Sequence, residues 1–154
     1  MQITLVFFDC RHQTLKYDAG KIQIKGMKII RHTVLIRATP KAVYNALMNE
    51  KKHSRFTGER AQIRAKPGAR FSCYDDYITG ITLELEPAKR IVQAWRSRNW
   101  PEGHYSIVTF AFSKKLGGTQ LRFTQIGVPA NDYARKDNGW RMHYWQPLKQ
   151  FLEK

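Results

Sequence analysis

The densest chemistry in the chain sits in Trp100-Pro101-Glu102-Gly103-His104, where a lone imidazole follows a proline and a glycine. A histidine acts as acid, base or ligand only beside a partner held at fixed distance. Neither a serine nor a carboxylate stands at a spacing that would fix such a partner for His104. The other histidines, His12, His32, His53 and His143, fall in an N-terminal segment, a strand, a helical turn and the last helix, without zinc spacing. Cys10 and Cys73 are too few for a disulfide framework and form no C-x-x-C, so reduced structural thiols are expected. Asp75-Asp76 could attract a cation, but a hard cation wants several more oxygens than one turn offers. The residue types therefore predict no catalytic group, no metal and no cofactor.

Charge is the other chemical signal. Against 12 acidic residues stand 27 Lys and Arg, a formal charge of +15 over 154 residues. Such an excess favours anionic partners: nucleic acid, an acidic protein face or anionic lipid. The basic pairs Lys51-Lys52, Lys89-Arg90, Lys114-Lys115 and Arg135-Lys136 are spread over distant elements. A dedicated nucleic-acid binder concentrates its charge in a stripe or a known motif, so polyanion binding is the lesser reading. Apolar runs such as Leu5-Val6-Phe7-Phe8 fall far short of the roughly 18 to 20 residues that span a bilayer. Met1-Gln2-Ile3-Thr4 offers no secretory pattern, and a cytoplasmic protein without membrane insertion is expected.

The elements that would position these residues read as one α+β domain. Ile3 to Phe8 and Lys21 to Lys25 suit short strands, but residues 1–26 carry no core pattern. They read as an N-terminal extension, or an upstream start ahead of Met27, with the fold carried by residues 27–154. Ile29 to Arg37 alternates, placing Ile30, Val34 and Ile36 on one face of a strand. Thr39-Pro40 supplies an N-cap hydroxyl and a proline at the first helical position, and a second helical turn over Lys51 to Phe56 stops at Gly58. Six extended segments follow: Arg60–Ala65, Arg70–Tyr74, Ile78–Leu85, Arg90–Ser97, Tyr105–Phe112 and Gln120–Ile126. Turn formers separate them, which predicts antiparallel hairpins in sequence order. In the third, Ile81, Leu83 and Leu85 are expected on the dry face and Thr82, Glu84 and Glu86 on the wet one. Trp140, Tyr144, Leu148, Phe151 and Leu152 then form an apolar stripe along a terminal helix, which Pro147 should bend by freeing the carbonyl four residues earlier.

This order of elements carries recognisable motifs: Thr79-Gly80, Leu85-Glu86-Pro87-x-Lys89-Arg90-Ile91-Val92, Trp95-Arg96-Ser97, Trp100 to Ser106, and Gly139-Trp140-x-x-x-Tyr144-Trp145-x-x-Leu148. From about Ile29 to Leu152 the chain resembles the C-terminal domain of activators of the heat-shock protein 90 ATPase. These belong to the superfamily of START and birch-pollen-allergen-like (SRPBCC) domains. The resemblance implies a helix-grip fold: a curved antiparallel sheet of six to seven strands, two short helices after the first, and a long C-terminal helix across the concave face. Within the family, Trp100, Pro101, Glu102, Gly103 and His104 look like a hairpin device in which proline fixes φ, glycine supplies a positive φ and tryptophan anchors the turn. Asp76 stands where the family usually has glycine, and aspartate tolerates a left-handed turn. The separate N-terminal domain of the eukaryotic activators is not expected from 26 residues.

A sheet curling round a helix leaves space between them, and the resemblance implies a cavity for an apolar ligand there. Tyr74, Trp95, Phe110, Phe112, Phe123, Trp140 and Tyr144 are the candidates to line it. The resulting expectation is a non-enzymatic binding module that takes a hydrophobic small molecule, contacts a chaperone-type protein, or does both. A cavity enzyme of cyclase or hydrolase type, and polyanion binding through the basic surface, are the alternatives.

Overall fold

The structure is a computed structural model that describes residues 15–18, 21–24 and 26–154. The strand expected at Ile3–Phe8, and Cys10 and His12, lie outside the described residues. β1 (Leu15–Asp18) and β2 (Lys21–Ile24) pair as an antiparallel hairpin of their own. The alternation at the start of the main domain becomes β3 (Met27–Ile36), with Ile30, His32, Val34 and Ile36 buried and the intervening residues outward. α1 (Pro40–Met48) begins as its sequence dictates, the Thr39 hydroxyl accepting the Ala42 N–H. Asn49 caps α2 (Glu50–Thr57) in the same way, and Gly58 closes it in the left-handed region at φ 76°.

Five further strands complete the sheet: β4 (Arg70–Cys73), β5 (Ile78–Glu86), β6 (Arg90–Ser97), β7 (Ser106–Lys115) and β8 (Gly118–Pro129). Their order is β3-β8-β7-β6-β5-β4, every pair antiparallel, so the first strand closes against the last and β3 and β4 form the edges. Register shifts at Lys28/Ile29 and Thr82/Glu84 mark bulges, which bend a sheet and strengthen its twist.

Two expectations fail for local reasons. Arg60–Ala65 is not a strand; it makes one isolated bridge, Gln62 to Ser72. Its backbone is claimed by α2 instead, Ala61 N–H donating to the Ser54 hydroxyl and Ile63 N–H to the Glu50 carboxylate. In β5 the expected faces are reversed up to Leu83, whereas beyond the bulge Leu85 packs on the core and Glu84 and Glu86 face outward as expected. Ile78, Gly80 and Thr82 point inward, Leu83 is exposed, and Thr82 accepts a hydrogen bond from Gln93 at 3.2 Å. Hydrophobicity was a poor guide because the bulge after Thr82 shifts the phase and the inward glycine makes room for the Phe71 ring. A Cβ at Gly80 would meet both that ring and the Ala94 carbonyl oxygen. Gly80→Ala is therefore expected to destabilise by about 1–3 kcal/mol, measured as a fall in the urea midpoint.

The chain ends in one long helix of three parts: α3 (Tyr133–Gly139), a π-helical segment Trp140–Trp145, and α4 (Gln146–Leu152). Pro147 has no N–H to give the His143 carbonyl, and the Tyr74 hydroxyl donates to that oxygen instead at 2.8 Å. The wider π turns carry Trp140, Tyr144 and Trp145 inward together; the two indoles stack at 5.3 Å with planes 21° apart. Against them pack Phe110 and Phe123 from the sheet, Phe56 from α2, and Leu148. The helix so buried lies across the concave face of a curved six-stranded sheet, the helix-grip arrangement.

Candidate functional site

Between the inner face of β5 and β6 and the π-helical part of the terminal helix lies a cleft of about 340 Å³. Its wall is mainly aromatic. β6 supplies Trp95, the turn after it Trp100, the loop after β4 Tyr74 and Tyr77, and the helix Trp140 and Tyr144. Tyr74, Trp95, Trp140 and Tyr144 from the sequence reading meet here. Phe110, Phe112 and Phe123 are buried but do not reach the lining, because they stand one or two strands further along, under the helix and α1. A groove of about 640 Å³ on the far side of the helix is rimmed by polar and charged side chains such as Arg37, Arg141 and Lys149, with Val34 and Trp145 at its base.

Each indole N–H in the domain has an acceptor, as buried tryptophan requires. Trp95 donates to Gln93 Oε1 at 2.9 Å and Trp140 to Gln125 Oε1 at 2.7 Å. The Gln125 amide passes on to Ser106 Oγ at 2.9 Å, and Ser106 donates to the Trp95 carbonyl at 3.2 Å. This relay fixes the two indoles, which pack against each other with centroids 4.8 Å apart and together form one wall of the cleft. Trp145 donates to His32 Nδ1 at 2.8 Å, so His32 carries its proton on Nε2, which lies 2.6 Å from Asp137.

At one end the cleft is polar. Lys136 projects from α3 with its side chain only 13% exposed, its ammonium over the Tyr77 ring at 4.7 Å and donating to Ser97 Oγ at 2.8 Å and the Tyr77 hydroxyl at 3.3 Å. Burial pushes the Tyr77 phenol up, but hydrogen bonding with Ser97 and Lys136 and the charges of Lys136 and Arg135 outweigh it, leaving the phenol below its ordinary value. Behind Lys136, Asp132 receives Trp100 N–H and Arg135, each at 2.6 Å. Those bonds and the neighbouring cations hold its carboxyl below the usual range even though burial acts the other way.

At the other end Tyr144 meets His53, O–H to Nε2 at 3.0 Å, with Cys73 Sγ 3.8 Å from the same nitrogen. Burial lowers the imidazole to about 4 and raises both the thiol and the Tyr144 phenol. All three stay neutral through the physiological range, which suits packing and leaves no ready nucleophile.

His104 is not at the cleft. Its Nε2 lies 2.8 Å from the Gly127 carbonyl and its ring stands edge-on to Trp100 at 5.2 Å, while Gly103 has φ 76°. Pro101, Glu102 and Gly103 turn the chain at the surface, and Trp100 is the member of the motif that reaches the cleft. Among the described residues, no group of three or more His, Cys, Asp or Glu is placed to hold a metal, and no helix is long and apolar enough to cross a membrane. Sequence reasoning missed Lys136 and Gln125. The signal was there: Lys136 precedes Trp140 by one helical step of the stripe Trp140-Tyr144-Leu148, and Gln125 alternates in phase with Leu121 and Phe123.

Comparison with known proteins matches residues 37–153 to the family model described as activator of Hsp90 ATPase homolog 1-like protein. The mouse activator of 90 kDa heat shock protein ATPase homolog 1 is 32% identical over 141 residues, 88% of this chain and 42% of that protein. A Dictyostelium discoideum homologue is 31% identical over 116 residues, 73% of this chain and 30% of the relative. The chain thus spans less than half the length of these relatives. Among solved structures, an HSP90 activator from Plasmodium falciparum superposes with a TM-score of 0.77 at 28% identity, covering 83% of this chain and 97% of that one. An Aha1 dimer from Colwellia psychrerythraea gives a TM-score of 0.72 at 20% identity, covering 82% and 97%, a likeness of fold.

Proposed function

Because the chain belongs to the family of activator of Hsp90 ATPase homolog 1-like proteins, we propose that it is a non-enzymatic binding module with two contacts: a hydrophobic small molecule in the cleft under the terminal helix, and a chaperone-type protein on its surface. The aromatic-lined cleft carries the first. Concave, largely apolar walls with a few fixed polar groups are what small-molecule sites offer, and about 340 Å³ lies at the small end of their range. The names of the relatives support the second, since they are called activators of a 90 kDa heat shock protein ATPase. The charge of +15 suits an acidic partner surface.

The ligand half is tested by a thermal-shift screen of lipids, isoprenoids and aromatic metabolites. A binder raises the melting temperature in proportion to the logarithm of its concentration over Kd, and a flat response across the panel removes this half. For the partner half, the purified chain is mixed with the heat-shock protein 90 of its own organism. Co-elution, together with a changed ATPase rate, is expected; neither occurring would refute it.

A further inference from the structure

On the reading of the cleft as a ligand site, we infer that its ligand is a small monoanionic amphiphile whose carboxylate or like group is held by Lys136, with its apolar body against the wall that Trp95 and Trp140 form together. Positive charge is in excess at the polar end of the cleft. Lys136 is a largely covered cation that borders the cleft. Its two hydrogen bonds go to neutral oxygens, Ser97 Oγ and the Tyr77 hydroxyl. Ser97 in turn donates to Asn99 at 2.6 Å, so that hydroxyl serves Lys136 only as an acceptor.

The nearest carboxylate does not complete the pairing. Asp132 Oδ2 is 3.8 Å from Lys136 Nζ, beyond hydrogen-bond reach, and already receives the Trp100 indole, while Oδ1 is taken by Arg135 at 2.6 Å. One carboxylate therefore faces two cations. The end of the cleft keeps a net positive charge and an ammonium hydrogen without an anionic acceptor. A buried charge short of its counter-charge is costly, and an incoming anion would gain a charge-assisted hydrogen bond in a partly desolvated place. Trp95, Trp140 and Ile78 offer apolar surface to the rest of such a molecule, and the one carboxylate in the lining, Glu59, stands by Tyr74 and not by Lys136.

The test uses three molecules with one eight-carbon body: octanoate, octanol and octylamine. Binding is read at pH 7.5 by calorimetry and by tryptophan fluorescence, with wild type, Lys136→Met and Lys136→Arg. Octanoate is expected to bind wild type about tenfold more tightly than octanol, with octylamine weakest. Lys136→Met should abolish that preference while leaving octanol within about twofold, and Lys136→Arg should keep it. Octanol binding by each variant also reports that the cleft is intact; should Lys136→Met not fold, the wild-type ranking decides. Octanol bound as tightly as octanoate by wild type overturns the inference and leaves the cleft reading standing, whereas no binding of any of the three overturns both.

Discussion

Trp140→Ala should lower the unfolding free energy by about 3–5 kcal/mol, the largest loss expected from any single truncation in the terminal helix. Trp140 is the hub of the interior: its ring lies 4.3 Å from Phe123, 4.7 Å from Tyr144, 4.8 Å from Trp95 and 5.3 Å from Trp145, centroid to centroid. Removing it opens a cavity among rings from three strands and a helix that cannot all move in. It also strands Gln125, whose oxygen is buried and accepts the Trp140 N–H. Trp140→Phe separates the two effects, since it keeps most of the packing and drops the donor; a loss of about 1–3 kcal/mol is expected from the unsatisfied amide oxygen. Chemical denaturation of the three proteins measures both. A loss below about 1 kcal/mol for Trp140→Ala would mean that the helix does not grip the sheet through this residue.

The second large effect is a loss of stability in mild acid, traced to His53. The imidazole is enclosed by Tyr144 from the terminal helix, Cys73 from β4 and Phe56 from its own helix, and Nδ1 has no hydrogen-bond partner. Burial lowers its pKa from 6.5 to about 4 in the folded protein. Above pH 6.5 the residue is neutral whether folded or not, and its contribution is fully present. Between 6.5 and 4 the unfolded chain binds a proton that the folded chain refuses, so stability falls with pH, by about 3 kcal/mol once both states are protonated. The carboxylates Asp132 and Asp137, whose pKa values are lowered from 3.8, lose their contribution only at lower pH, so the windows separate. Unfolding free energies at pH 7.5 and 4.5 should differ by about 2–3 kcal/mol more in wild type than in His53→Gln. Parallel pH profiles would show that His53 is not the acid-sensitive group.

Much of this architecture can be read from the chain, and the failures have physical causes. The alternation of Ile30, Val34 and Ile36, the Thr39-Pro40 start and the Gly58 stop are local signals, and local structure obeys them. Pro147 announced a free carbonyl; that Tyr74 would fill it depends on three successive left-handed residues, Tyr74, Asp75 and Asp76, which no periodicity foretells. Trp145 stands in the terminal motif three residues before Leu148, and the π turns set its indole stacked on Trp140. In β5 the bulge shifts the phase, so Thr82 is buried instead of Leu83 while Leu85 beyond it still packs on the core. The aromatic half of the cleft could be named from residue type, since tryptophans and tyrosines need a place to be buried. Its polar half could not, because Gln93, Gln125 and Lys136 acquire meaning only from the indoles and hydroxyls that the tertiary fold sets beside them.

The claim on which the account rests, that the space under the terminal helix receives a ligand, is tested most directly by nitrogen-15 NMR of the four indole groups during an octanoate titration. Trp95, Trp100 and Trp140 border the cleft and their signals should shift together, while Trp145, turned to His32 on the other side of the helix, should stay in place. Four unmoved indole signals at saturating octanoate, or movement of Trp145 alone, would contradict it.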